Sequence, residues 1–303
     1  MVSSVLVTGA SGFVGSHLCR ALVDAGHDVR AMTRHPRDYA GAGTPVAGDV
    51  ADRGSLARAL DRTDVAYYLV HALGSDDFAR KDAAAARNFA AAAAGAAVRR
   101  IVYLGGLGDD ADELSPHLRS RREVEHLLGA TGVPVTVLRA AVVIGHGSIS
   151  WEITRQLVAR LPVMITPKWV KTRTQPIARA DVIRYLVGVL DHPDAGGRVF
   201  EVGGPEVLRY LDMLYRAAAI EGKRIRTVDV PLLTPRLSSM WLALVTDVDI
   251  PTARTLVDSM TNEMVVRDDS IRHIVPGEPL GYDAAVRRAL ADRAEERRSA
   301  RAT

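Results

Sequence analysis

Three glycines spaced three apart, set between a strand and a helix, constrain this chain more than any other feature. Residues 5–7 form a short valine and leucine run of the kind that makes a buried strand. Thr8-Gly9-Ala10-Ser11-Gly12-Phe13-Val14-Gly15 follows, and residues 16–25 then carry Leu18, Leu22 and Val23 at helical spacing. In that setting each glycine has a task. Gly9 permits the tight turn, Gly12 lets a pyrophosphate approach the main chain, and Gly15 lets the helix pack close to the strand. The first N–H groups of the helix lack internal partners and favour an anion. Thr8, Gly9, Ser11, Gly12, Phe13, Val14 and Gly15 are therefore the expected contacts on the phosphate side of a bound dinucleotide.

The second strand, residues 28–33, ends in Thr33-Arg34-His35-Pro36-Arg37. In dinucleotide folds this end meets the adenosine ribose, where a carboxylate would bond the 2′-hydroxyl and repel a 2′-phosphate. No carboxylate stands here, and a guanidinium can pair a phosphate bidentately. The pattern favours NADP(H) over NAD(H), with Arg34 as main contact and Arg37 as a second; the alternative is a solvated basic turn. A third strand, residues 44–50, ends in Gly48-Asp49-Val50, which places Asp49 and Val50 beside the adenine; alternatively Asp49 caps the helix at 53–60. After a fourth strand (65–70), the loop His71-Ala-Leu-Gly74 should run under the pyrophosphate and nicotinamide ribose. An alanine-rich helix (77–97) and a fifth strand (100–104) ending in Gly105-Gly106 come next. Ser115-Pro116 opens a helix running to 128, with serine as N-cap and proline at the first helical position. Residues 133–144 read as a sixth strand and 198–202 as the last. Strands alternating with helices over short joins predict an α/β, doubly wound parallel sheet.

Composition narrows the partners. The 303 residues carry a net charge of +3, with basic residues spread along the chain, so no nucleic-acid footprint is read. The single cysteine, Cys19, cannot form an internal disulfide and is expected in the core. No run of ~20 apolar residues signals a membrane span. The first strand starts within a few residues of Met1, leaving no room for a signal peptide, so a cytoplasmic setting is expected. No metal-ligating cluster is read. A small-molecule substrate is expected, on a monomer or a homodimer paired through the small-residue helix.

Several stretches resemble the atypical short-chain dehydrogenase/reductases. They are Thr8 to Gly15, Gly48-Asp49, the alanine-rich helix, Leu138-Arg139 and Val199-Phe-Glu-Val-Gly-Gly-Pro205. Within that group the chain is similar to the NmrA-like branch related to the NADPH-binding accessory subunit of respiratory complex I. Ser115-Pro-His-Leu-Arg-Ser-Arg121 and residues 162–177 resemble a bacterial subfamily of NAD(P)H-binding oxidoreductases. The resemblance implies a Rossmann domain over 1–204, with 145–177 contributing to a substrate pocket, and a smaller, mainly helical part over 205–303. Within the latter, 209–220, 234–245, 251–260 and 282–297 read as helices and 224–230 as extended. Met240-Trp-Leu-Ala-Leu-Val245 reads as core, pocket lid or contact surface, and the charged end of 292–303 as a fraying tail.

The resemblance carries over no complete catalytic set. Active members of the superfamily use a Tyr-x-x-x-Lys pair on the helix after the fifth strand and a serine at that strand's end. Here the strand ends in Gly105-Gly106, and the helix offers His117 and Arg121 at i, i+4. His117 as acid and Arg121 as ribose clamp would make a reductase; alternatively both are surface or packing residues. His71 is the next candidate. Tyr103 reads as core and Lys81 as solvated. Backbone groups of Val142 and Val143 are expected near the nicotinamide carboxamide. His146, Trp151, Trp169, Arg173 and Gln175 come from the segment that roofs the pocket in relatives; the tryptophans could equally be packing residues and Arg173 an ion-pair member. Two functions stand: an NADP(H)-dependent oxidoreductase acting on a carbonyl or activated double bond, and an NADP(H)-binding sensor or scaffold without turnover. A nucleotide-sugar epimerase would need the missing tyrosine.

Overall fold

The computed structural model describes residues 2–75, 77–230 and 235–302. Seven strands, joined through five α-helices, build the main layer. β1 (Ser4–Val7) leads into α1 (Phe13–Asp24), β2 (Asp28–Thr33) into β3 (Thr44–Ala47), and α2 (Arg53–Leu60) into β4 (Val65–Tyr68). α3 (Phe78–Gly95), β5 (Arg100–Gly106), α4 (Pro116–Gly129) and β6 (Val135–Ala140) follow. β7 (Val143–Ile144), α5 (Ile149–Arg160), β8 (Val163–Thr166), β9 (Arg173–Thr174) and β10 (Ile177–Ala178) then leave the sheet. α6 (Arg179–Gly188) returns the chain to the sheet edge at β11 (Val199–Val202). The last part holds β12 (Leu208–Arg209), α7 (Tyr210–Ile220), β13 (Arg226–Asp229), α8 (Pro235–Val245), α9 (Ile250–Ser259), α10 (Ile271–Ile274) and α11 (Tyr282–Ala302).

The sheet order is β11-β6-β5-β4-β1-β2-β3, all parallel. It reverses direction between β1 and β4, and that switch point opens a crevice at the carboxyl ends of the strands, beside the glycine turn. The strands are short apolar runs because both faces are covered. One face packs on α1 and α6, through Leu18, Leu22, Val182 and Leu186. The other packs on α2, α3 and α4, through Leu56, Phe89, Val124 and Leu128. A third core joins 142–170 to the last hundred residues, with Trp151, Met164, Tyr210, Leu214, Leu242, Val257 and Val286 buried together. Cys19 is fully buried in the first core, where burial pushes its thiol up to about 11.

Several elements differ from the sequence reading. The strand expected over 133–144 is cut after Ala140, because Val142 and Ile144 turn into the third core and β7 pairs with β10 instead. Residues 149–160 and 179–188 are helices that sequence patterning did not single out. The charged tail expected to fray continues α11 as far as Ala302. The extended piece at 224–230 becomes β13, paired in parallel with β8. Helix α8 begins at Pro235, and Thr234 of the expected helix lies outside the described residues. Its apolar run divides: Leu242 is buried, whereas Met240 and Leu244 face outward.

Candidate active site

The glycine turn lies at the switch point. Gly9 has φ +63°, a left-handed conformation that glycine adopts at little cost. A Cβ on Gly15 would collide with the Gly9 carbonyl, so the approach of α1 to β1 depends on its absence. Gly12 is the N-cap of α1, and no side chain caps that helix, which leaves first-turn amides to meet an anion. Thr8 is placed differently from expectation. It is fully buried, donates to the Tyr67 carbonyl (3.0 Å) and accepts from the Leu69 amide (3.0 Å), so it staples β1 to the end of β4 and is not a groove contact. Val14 packs on the first core, and Phe13 turns its ring toward Gly145 and Arg179.

From this turn a groove of about 470 Å³ runs along the strand ends, lined by Gly9, Ser11, Gly12, Arg34, Asp49, Val50 and His71, among others. Arg34 is exposed on its wall, and Arg37 stands one short turn further on and does not line it. Among the described residues neither arginine has an ion-pair partner, and β2 ends with no carboxylate in the groove. Asp49 accepts from the Ala51 amide (2.9 Å), an Asx turn that presents its carboxylate at the groove; the cap of α2 is Asp52, which accepts from Gly54 (2.9 Å).

Beyond the groove, four side chains from four elements form one line. Asp82 of α3 is 3 % exposed and takes His71 Nδ1 at 2.5 Å. His71 Nε2 faces His117 Nε2 of α4 at 3.1 Å, and His117 Nδ1 meets Ser259 Oγ of α9 at 2.8 Å. Phe78 stands edge-on to both rings. Burial, then the neighbouring His71 and Arg121, pushes His117 down to about 3; burial likewise lowers His71 against the pull of Asp82. His117 is thus covered by α9 and sits behind His71, which reaches the groove wall. Its neighbour Arg121 is buried as well: it stacks on Tyr103 with Cζ 4.8 Å from the ring centroid and donates Nη2 to the Leu104 carbonyl. Its Nη1 is buried without a partner among the described residues. Tyr103 is core, as read, and Lys81 bonds Ser75 Oγ at 2.7 Å.

The loop where the superfamily serine would stand is held by charge. Arg122 donates to the carbonyls of Gly106 (2.8 Å) and Gly108 (2.7 Å) and pairs with Asp110; Arg139 pairs with Glu125 and Asp110.

The residues expected over the substrate do not gather. Trp151 is fully buried and its Nε1 has no partner. Trp169 packs edge-on against Tyr210 at 6.1 Å, and Arg173 is exposed and paired with Glu263. Gln175 donates to the Gly204 carbonyl (2.7 Å) and accepts from the Val266 amide (2.9 Å). His146 lies between Glu152 (3.1 Å) and Glu296 (2.5 Å). None of the five lines the groove: the tryptophans pack in or against the third core, His146 and Arg173 meet carboxylates, and Gln175 bonds backbone groups. The carbonyls of Val142 and Val143 are likewise taken, by the Ile177 amide and the Ser148 hydroxyl.

Sequence reasoning missed Asp82 and Ser259. Asp82 had a signal: it falls on the same helical stripe as Ala85, Ala86 and Phe89, an apolar face where a carboxylate needs a partner. Ser259 had none, since its partner lies 142 residues away.

Fold and groove together define a dinucleotide-binding protein of the Rossmann type. The chain belongs to the NAD(P)H-binding family, whose profile matches residues 9–193. It is 28 % identical over 248 residues to the (4-alkanoyl-5-oxo-2,5-dihydrofuran-3-yl)methyl phosphate reductase of Streptomyces griseus, covering 78 % of this chain and 80 % of that one. It is 32 % identical over 169 residues to the ceramide reductase of Caulobacter vibrioides, covering 53 % of this chain and 52 % of that one. Among solved structures, the NADPH-dependent quinone oxidoreductase of Escherichia coli with NADPH shares the fold at TM-score 0.77 and 20 % identity, over 93 % of this chain and 98 % of the other. The triphenylmethane reductase of Citrobacter sp. with NADP(H) does so at 0.77 and 16 %, over 94 % and 99 %. Among the described residues no helix is long and apolar enough to cross a membrane.

Proposed function

We propose that this protein is an NADP(H)-dependent reductase that delivers a hydride to a carbonyl or an activated double bond of a small molecule. The observation that carries the cofactor choice is Arg34, exposed on the groove wall and unpaired among the described residues, where β2 ends without a carboxylate. The residues fit the cofactor in other respects. The α1 amides are uncapped, the glycine turn leaves room for phosphate, and Asp49 is set for the adenine amino group. Bound there, a reduced nicotinamide supplies the hydride. Arg121, held on Tyr103 and the Leu104 carbonyl behind His71, does not line the groove and is given no contact to the ribose. The proton comes from the histidine pair, with His117 reaching the groove only through His71. Residues 205–303, with 145–177, cover the substrate side of domain 1–204. Relatives named for reducing a dihydrofuranyl phosphate and ceramide support a reductase on a small molecule. A monomer or homodimer in the cytoplasm fits the single buried cysteine and the modest, dispersed charge.

A second reading is an NADP(H)-binding sensor without turnover. It is favoured by Gly105 and Gly106 in place of the serine, and by His117 and Arg121 in place of the tyrosine and lysine. Fluorescence titration with NADPH and NADH, then an NADPH-oxidation screen over carbonyl and quinone compounds, separates the two. Tight NADPH binding with turnover is the expected result. Tight binding without turnover across a broad panel would decide for the sensor, and preference for NADH would overturn the Arg34 assignment.

A further inference from the structure

Geometry restricts where hydrogens can sit along the line Asp82, His71, His117, Ser259. An ionised Asp82 only accepts, so His71 Nδ1 carries hydrogen. Two ring nitrogens 3.1 Å apart need one hydrogen between them, since two lone pairs or two N–H groups would repel. Two arrangements satisfy this with His117 neutral, as its burial requires. In the neutral one, His117 Nε2–H donates to His71 Nε2, and the Ser259 hydroxyl donates to His117 Nδ1. In the other, His71 bears both hydrogens and donates to His117 Nε2. His117 Nδ1–H then donates to Ser259 Oγ, and the Ser259 hydroxyl turns to the Thr255 carbonyl 2.9 Å away. The second form holds one more proton, with its charge beside Asp82. Every donor has an acceptor in both, and only hydrogens move.

The line ends where chemistry would occur. His71 lines the groove and is 18 % exposed, whereas Asp82 is enclosed. Asp82 is the anion facing the ring, and Arg121 of α4 is the opposing cation. Tyr68 of β4 and Tyr103 of β5 keep their protons, because burial raises both phenols. Lys81 is held on Ser75, and Asp249 caps α9 beside Gly74. In the free protein burial favours the neutral form. Negative charge brought into the groove favours the other.

We propose that this line is the proton donor of the site: it takes up one proton when an anionic dinucleotide fills the groove, and His71 passes that proton to the substrate. Asp82 and Ser259 are positioning residues. In the step itself, a C–H bond would form at the substrate carbon as the C–H bond of the reduced nicotinamide breaks and the nicotinamide is oxidised. The C=O π pair moves onto oxygen, and that oxygen takes the proton from His71 Nε2, which gives up its bond to His117. His71 ends neutral, its Nδ1–H still on Asp82, and the facing lone pairs of the two Nε2 atoms then favour return of His117 to the Nε2–H tautomer. This inference rests on the NADP(H) reading above.

The test is calorimetric titration with NADPH at pH 7 in two buffers of different ionisation heat, for the wild type and His71→Asn. The 2′-phosphate titrates alike in both, so the difference reports His71. The wild type should take up more protons, by a difference approaching one. Its NADPH affinity should gain up to tenfold per unit fall in pH relative to the variant. Asp82→Asn should abolish the difference. Ring 15N spectra of the wild type need no variant: binding should convert His117 from the Nε2–H to the Nδ1–H tautomer and protonate His71 fully. NADPH binding with equal proton uptake in wild type and His71→Asn, or with an unchanged His117 tautomer, would overturn the proposal. Failure of the wild type to bind NADPH would instead overturn the reading on which it rests.

Discussion

Gly15 and Gly9 touch through space that no side chain could occupy: a Cβ on Gly15 would sit 2.8 Å from the Gly9 carbonyl carbon and closer still to its oxygen. The contact sets how near α1 lies to β1, and so where the uncapped amides of α1 point. Gly15→Ala forces the helix away from the strand. Overpacking of this kind costs about 3 kcal/mol. Urea melts should show that loss, and NADPH titration should show weakened binding even under conditions where the variant is folded. A variant with unchanged stability and affinity would mean that the turn does not depend on this contact.

Arg34 and Arg37 should separate in their effects. A charge-assisted hydrogen bond contributes about 1.5–3 kcal/mol, so Arg34→Ala should weaken NADPH binding roughly 10- to 100-fold and leave NADH binding nearly unchanged. Arg37 stands off the groove, and Arg37→Ala should cost about threefold or less. Parallel fluorescence titrations with both nucleotides check this. Equal losses for NADPH and NADH in Arg34→Ala would show a general electrostatic effect with no 2′-phosphate contact.

His117 makes stability depend on pH. Its folded value, pushed down to about 3 by burial, lies below the unfolded value of about 6.5. The unfolded chain therefore binds the proton first as pH falls. The stability due to a neutral His117 is complete above about pH 6.5 and is lost progressively toward pH 3. At pH 5 the loss is about 2 kcal/mol. Denaturant midpoints between pH 7 and 4 should fall in the wild type and fall much less in His117→Asn. Parallel curves would mean that His117 is charged in the folded protein.

Trp151 tests whether the roof segment is pocket or core. Its ring is fully buried and its indole N–H has no acceptor. Trp151→Ala should cost about 3–5 kcal/mol by opening a cavity. Trp151→Phe should cost far less than that, since no hydrogen bond is lost. Neither should alter NADPH affinity once folded. A large change in substrate KM with unchanged stability in Trp151→Phe would return the residue to the pocket.

The chain order of strands and helices, the glycine turn and the absence of a carboxylate after β2 were legible in the sequence. Each depends on neighbours a few residues apart: hydrophobic period, a backbone that only glycine allows, charge at the end of one strand. From these followed the parallel sheet and its dinucleotide groove, with Arg34 on the wall. Tertiary structure alone decided the rest. It withdrew Trp151 and Gln175 from the pocket, because Trp151 is buried in the third core and Gln175 bonds the backbone of Gly204 and Val266. It also moved Thr8 from the groove to a staple between β1 and β4. Most of all, it brought Asp82, His71, His117 and Ser259 into one line. Those contacts span 11, 46 and 142 residues. No local spacing encodes them; they exist because α3, α4 and α9 pack around the end of β4.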